Sequence, residues 1–126
     1  MKIAYTLVRI IFGALFIFSS AAYFFNLVPT PELTGSIKAF NDGMEASVYL
    51  LPLIKGTELV VGICFLSGFF VPLASVIISP IVINIFCVHL FIAQEGLPVG
   101  IFVIVANAFI AYVNREVYRP LLIPKN

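Results

Sequence analysis

From Val48 to Phe70 the chain reads VYLLPLIKGTELVVGICFLSGFF, an apolar run with the length of a bilayer-crossing helix and with Lys55 and Glu58 inside it. Roughly 20 residues rising ~1.5 Å each cover a hydrocarbon core of about 30 Å. On that scale Glu58 lies about 13 Å beyond Tyr49, near mid-membrane. A charge at such depth costs roughly 2.5–3.5 kcal/mol on insertion scales, so it requires a partner or a function. Whatever fold the chain adopts must bring another polar group to Glu58.

Composition extends the argument to the whole chain. With 62% hydrophobic and 10% charged residues and a mean hydropathy of +1.15, it lies outside the range of soluble domains. Four apolar runs, at about 3–27, 49–70, 72–92 and 97–113, leave little sequence for anything else. The expectation is one domain over 1–126, all-α, an integral membrane four-helix bundle with a short amphipathic helix in the first loop. The bilayer is the first partner, and a net charge of +1 without a basic run argues against nucleic acid. The first run starts Met-Lys and contains Ser19-Ser20-Ala21-Ala22, which resembles a secretory signal with its cleavage site. It continues through Tyr23-Phe24-Phe25 and three more runs follow, so it reads as a retained span.

Between the first two spans, Thr30-Pro31-Glu32 carries a helix-start signal: Thr30 as N-cap, Pro31 in the first position and an acid in the first turn. Leu33, Ile37 and Phe40 recur at helical spacing, and Asn41-Asp42-Gly43 reads as the stop. Such a helix either closes one end of the bundle or covers a binding site. Ser67-Gly68-Phe69-Phe70 and Pro72 leave almost no loop between the second and third spans, which must form an antiparallel hairpin. Pro80 removes one backbone N–H from the third span, and Asn84 lies one turn further on the same face. In the fourth span Gly96 and Gly100 have the small-xxx-small spacing of a close helix contact.

Lys2, Arg115, Arg119 and Lys125 lie at the termini, against Lys38 in the intervening loops, so the positive-inside rule places both ends in the cytoplasm. Counting ~1.5 Å per residue from that side puts Glu58, Asn84 and Asn107 near 16–18 Å and Arg9 near 9–12 Å. One polar residue per span at a similar depth suggests a single intramembrane cluster of Arg9, Glu58, Asn84 and Asn107. Arg9 either pairs with Glu58 directly or snorkels to the nearer headgroups. Lys55 and His89 form a second, outer pair at about 21 and 25 Å. Cys64 and Cys87 fall near 8 and 22 Å, too far apart in depth for a disulfide, whose Cα atoms lie within about 7 Å. No CxxC, metal-spaced His/Cys cluster, phosphate loop or catalytic triad pattern occurs, so no catalytic or metal-binding residue is assigned.

Arg9-(x)3-Gly13 in the first span, Pro52-Leu-Ile-Lys55-(x)2-Glu58-(x)3-Gly62 in the second, and Asn107 with the Tyr118-Arg119-Pro120 tail carry a resemblance to the DoxX family of small four-span bacterial membrane proteins. Thr30-Pro-Glu-Leu-Thr34 and Glu95-Gly96-Leu97-Pro98 are also similar to stand-alone members of that family. The resemblance implies a multi-pass protein of the bacterial cytoplasmic membrane. Because the family takes its name from a subunit of a thiosulfate:quinone oxidoreductase, it also implies association with a redox or assembly complex. The expected role is a non-catalytic accessory, scaffold or assembly subunit, working with another membrane protein or as a homo-oligomer, with no intrinsic cofactor. The alternative is a subunit that interacts with quinone through Arg9, Glu58 and His89. Small-molecule transport is a weaker third reading.

Overall fold

A computed structural model describes residues 2–27 and 33–124. Four helices are long and apolar enough to cross a membrane. They comprise α1 (Lys2–Phe25), α3 (Leu50–Ser67), α4 (Val71–Phe91) and α5 (Leu97–Val113), the last preceded by a 3-10 turn at Gln94–Gly96. A shorter helix, α2 (Gly35–Ala46), lies between the first two spans, and α6 (Arg115–Tyr118) continues into a 3-10 turn at Arg119–Leu122. No strand occurs among the described residues. The all-α membrane bundle expected from the sequence is the fold.

The spans end where local chemistry stops them. Gly68 takes the left-handed conformation (φ 86°) after α3, and its N–H closes on the carbonyl of Cys64. Phe70 (φ 58°) and Pro72 then start α4 within a few residues, which makes the expected tight hairpin. Helix α2 departs from the sequence reading at both ends. Its first helical residue is Gly35, preceded by Thr34; the expected cap at Thr30, Pro31 and Glu32 falls outside the described residues. Asn41-Asp42-Gly43 does not end it. The Lys38–Asp42 ion pair (2.8 Å) and the Asn41–Glu45 bond (3.4 Å), both one turn apart, support the helix through this segment to Ala46. Ser47 then joins the two helices, donating from Oγ to the Met44 carbonyl and accepting from the Leu50 N–H.

Lipid tails are as apolar as leucine, so helices associate here by close packing and polar contacts rather than by burying oil from water. The tightest pairs are α1 with α3 and α4 with α5. At the α1/α3 crossing Gly13 meets Gly62: a Cβ added at Gly13 would lie 2.8 Å from Leu66 N and 2.9 Å from the Gly62 carbonyl oxygen. On one side of this crossing Phe12, Phe16 and Phe65 interlock, with ring centroids 4.8 and 5.0 Å apart. At the α4/α5 crossing Gly100 lies against the Phe86 backbone and the His89 side chain. Val71, Ile78, Val82, Val103 and Ile110 complete a buried centre, while Leu7, Ile11, Phe18, Val60, Ile77 and Val105 face outward, as a lipid-bathed surface requires. The contact between α3 and α4 is thinner, and α2 lies over that seam.

Candidate functional site

The Gly13/Gly62 crossing fixes the antiparallel register of α1 and α3, and the register decides which polar groups meet. Seven residues on from Gly13, Ser20 donates from Oγ to the Lys55 carbonyl at 2.8 Å, seven residues back from Gly62. Four residues back from Gly13, Arg9 donates from Nη1 to the carbonyl oxygens of Phe65 and, at 3.3 Å, of Leu66, four residues on from Gly62. Arg9 therefore does not meet Glu58. Leu66 is eight residues beyond Glu58, about 12 Å along the helix, farther than an arginine side chain bridges sideways. The guanidinium instead satisfies the orphan carbonyls at the end of α3, where a positive charge also complements the helix dipole.

The partner of Glu58 comes from its own helix. Lys55, three residues earlier, places Nζ 3.2 Å from Glu58 Oε2 and donates to Ser19 Oγ at 2.8 Å. Glu58 is only 3% exposed, and its Oε2 is the one buried side-chain oxygen or nitrogen among the described residues without a hydrogen-bond donor. Lys55 is close enough to neutralise it but is not aligned to donate to it. Asn107 forms a third, separate group: it accepts from Ser75 Oγ (2.8 Å) and donates to Ser79 Oγ (3.0 Å), which ties α5 to α4. The expected single layer of Arg9, Glu58, Asn84 and Asn107 is thus three sites on different faces, because similar depth does not imply a shared face. Sequence reasoning passed over Ser19, Ser75 and Ser79. The signal was available in Ser75 and Ser79, one turn apart in an apolar helix, and in the adjacent Ser19-Ser20.

Asn84 and His89 join Lys55 and Glu58 rather than Asn107. All four line a cavity of about 180 Å³ between α2, α3 and α4. From α2 come Ile37, Phe40, Asn41 and Met44, and from α3 Leu51 and Ile54 alongside the ion pair. Helix α4 adds Ile81, Ile85 and Val88 to its two polar residues. Asn84 is exposed at the rim, next to a second apolar hollow bounded by Leu50, Ile54 and Pro80. His89 is held from behind: its Nδ1 lies 3.1 Å from the Ala93 carbonyl oxygen, and its ring packs so tightly on Gly96 that no Cβ would fit there. A carbonyl oxygen only accepts, so Nδ1 carries a proton.

The cavity offers one ammonium, one buried carboxylate, two amides and an imidazole, inside walls that are otherwise aliphatic or aromatic. That combination suits a ring-sized head bearing oxygen atoms on an apolar tail. It supplies no nucleophile–base pair, and no group of three metal-ligating side chains occurs among the described residues. Cys64 and Cys87 are free thiols, as their separation in depth implied.

A family model for DoxX matches residues 4–90. The chain belongs to the DoxX family. The match runs from α1 through almost all of α4, and so contains every helix of the cavity along with Arg9, Lys55, Glu58, Asn84 and His89. Asn107 and the Tyr118-Arg119-Pro120 tail, which contributed to the resemblance in sequence, lie beyond it. Comparison with curated proteins and with solved structures gave no match. DoxX membership and the four apolar helices make this a multi-pass integral membrane protein whose first partner is the lipid bilayer.

Proposed function

We propose that this DoxX-family protein is an accessory subunit of a membrane complex, without a reaction of its own, and that its α2–α3–α4 cavity receives the head of a lipid-soluble quinone. The observation that carries this reading is the buried Glu58 carboxylate, neutralised by Lys55, in the wall of an otherwise apolar cavity sized for one ring. The residues fit such a head: Lys55 would donate to a ring oxygen, and Ile54, Ile81 and Phe40 would wall the ring. When bound, the quinone would supply electron-carrying capacity; the chain holds and orients it.

A purely structural role is the second reading. The Ser19–Lys55 and Ser20–Lys55 bonds favour it, because they pin the register of α1 on α3 whether or not the cavity is used. Glu58→Gln separates the two. It keeps shape and removes charge, so the quinone reading expects normal melting and retained protein partners with quinone content after gentle purification reduced at least severalfold. Unchanged quinone content, or quinone absent from the wild-type preparation, would favour the scaffold.

We further propose that the protein lies in the bacterial cytoplasmic membrane with both termini inside, following the excess of terminal Lys and Arg over Lys38. The α2 roof and the cavity mouth then face the outer leaflet. A periplasm-active reporter is expected to work when inserted after Glu95 and to fail after Asn126; the opposite result reverses the orientation.

A further inference from the structure

The cavity's polar groups are unequal in what they lack. Glu58 Oε2 is buried with no donor aligned on it, although Lys55 Nζ, which also donates to Ser19 Oγ at 2.8 Å, lies 3.2 Å away. An ionised carboxylate only accepts, and leaving it without a donor when buried is costly. On the opposite wall His89 commits its Nδ1 proton to the Ala93 carbonyl oxygen rather than to the cavity.

Resting on the quinone reading above, we infer that the cavity selects the reduced, hydroxyl-bearing quinol over the oxidised quinone. A quinone carries carbonyl oxygens alone. It can accept from Lys55 but has nothing to give Glu58. A quinol hydroxyl donates to Glu58 Oε2 while its oxygen still accepts from Lys55, so one substituent answers both members of the ion pair. The protein thus holds the electron-rich form and releases the oxidised one, the behaviour of a subunit that retains quinol for a partner able to oxidise it.

The test is equilibrium binding to the purified full chain in lipid nanodiscs. The probes are a short-tailed benzoquinone under air and its two-electron-reduced quinol under anaerobic reductant, read by calorimetry and by the shift in melting temperature. Hydrogen bonds to charged acceptors are strong enough that the quinol should bind about tenfold tighter or more. In Glu58→Gln the charged acceptor is lost, so quinol affinity should fall severalfold and the preference should narrow to within about threefold. Equal affinity of the two forms for the wild type, or a preference for the quinone, overturns this inference and leaves the proposed function standing. Binding of neither form overturns the proposed function itself. Phosphatidylglycerol also carries hydroxyl donors; its displacing the quinol at equal concentration would assign the acceptor to lipid headgroups and likewise overturn the inference. Because the wild-type preference decides on its own, the conclusion does not hang on the variant folding.

Discussion

The Gly13/Gly62 crossing positions the polar contacts between α1 and α3, so adding one methyl group there is the sharpest perturbation of that packing. In Gly13→Ala the new Cβ would sit 2.8 Å from Leu66 N, 2.9 Å from the Gly62 carbonyl oxygen and 3.0 Å from Phe65 Cβ, where ordinary contact begins near 3.4 Å. Two of those three neighbours are backbone atoms of α3, so no rotamer change relieves the overlap. The helices must move apart by about 0.6 Å, and overpacking of that kind costs roughly 1–3 kcal/mol. The same movement stretches the Ser20–Lys55 and Arg9–Leu66 bonds, and interhelical hydrogen bonds in membranes average about 0.6 kcal/mol each with a maximum near 1.7. A total loss of about 2–4 kcal/mol is expected, a fall in melting temperature on the order of 10 °C for a domain this small. Gly56→Ala is the matched control: it lies in the interior of α3 with nothing within 4 Å of its new Cβ, and removing a mid-helix glycine should stabilise by about 0.5–1 kcal/mol. The assay is thermal unfolding of both variants in one detergent, followed by helical circular dichroism. Gly13→Ala melting with the wild type, or both variants moving in the same direction, would refute the register on which the site description rests.

Arg9→Gln removes the charge that caps α3 and should lower stability by about 1–3 kcal/mol; the double variant with Glu58→Gln should match the sum of the two single effects to within about 0.5 kcal/mol, since the two residues lie roughly 12 Å apart along the bundle. Recovery of stability in the double variant's thermal melt would instead show that they touch. Tyr118, at the end of the chain beyond the last span, donates to the Pro72 carbonyl at 2.8 Å, and burial holds its pKa above the ordinary 10.0 against the lowering effect of a bond to Ser75. The folded state therefore keeps this proton more tightly than the unfolded state. Its contribution is complete below pH 10 and is lost as pH rises through the higher folded value. Melting curves between pH 9 and 11 should fall more steeply for wild type than for Tyr118→Phe; parallel curves would sink the assignment.

The spans were legible because hydrocarbon thickness sets their length: a run expected at 97–113 is a helix at Leu97–Val113, and one expected at 49–70 is Leu50–Ser67. The stop signal at Asn41-Asp42-Gly43 misled because side-chain pairs one turn apart outweighed a weak breaker at the membrane surface. The need of Glu58 for a partner was equally legible, but the partner was not. Depth counting fixes height along each span and says nothing of rotation about its axis, so Arg9, Asn84 and Asn107 looked equivalent, and Lys55 was sent outward to His89. The spacing of Lys55 and Glu58 by three residues already places them on one helix face. What no single span carries is the α1/α3 register, which depends on two glycines meeting. That register also explains why the site is unsaturated. Had Arg9 lain opposite Glu58, two parallel N–H donors would have filled both carboxylate oxygens and closed the question. Because the crossing at Gly13 and Gly62 sends Arg9 to the end of α3, Glu58 is left with a lysine that balances its charge but is not aligned to donate to Oε2, in a wall of the bundle that borders a ring-sized space. The polar need that the sequence announces is met in charge by the fold and left open in hydrogen bonding, which is the condition under which a bound hydroxyl adds most to affinity.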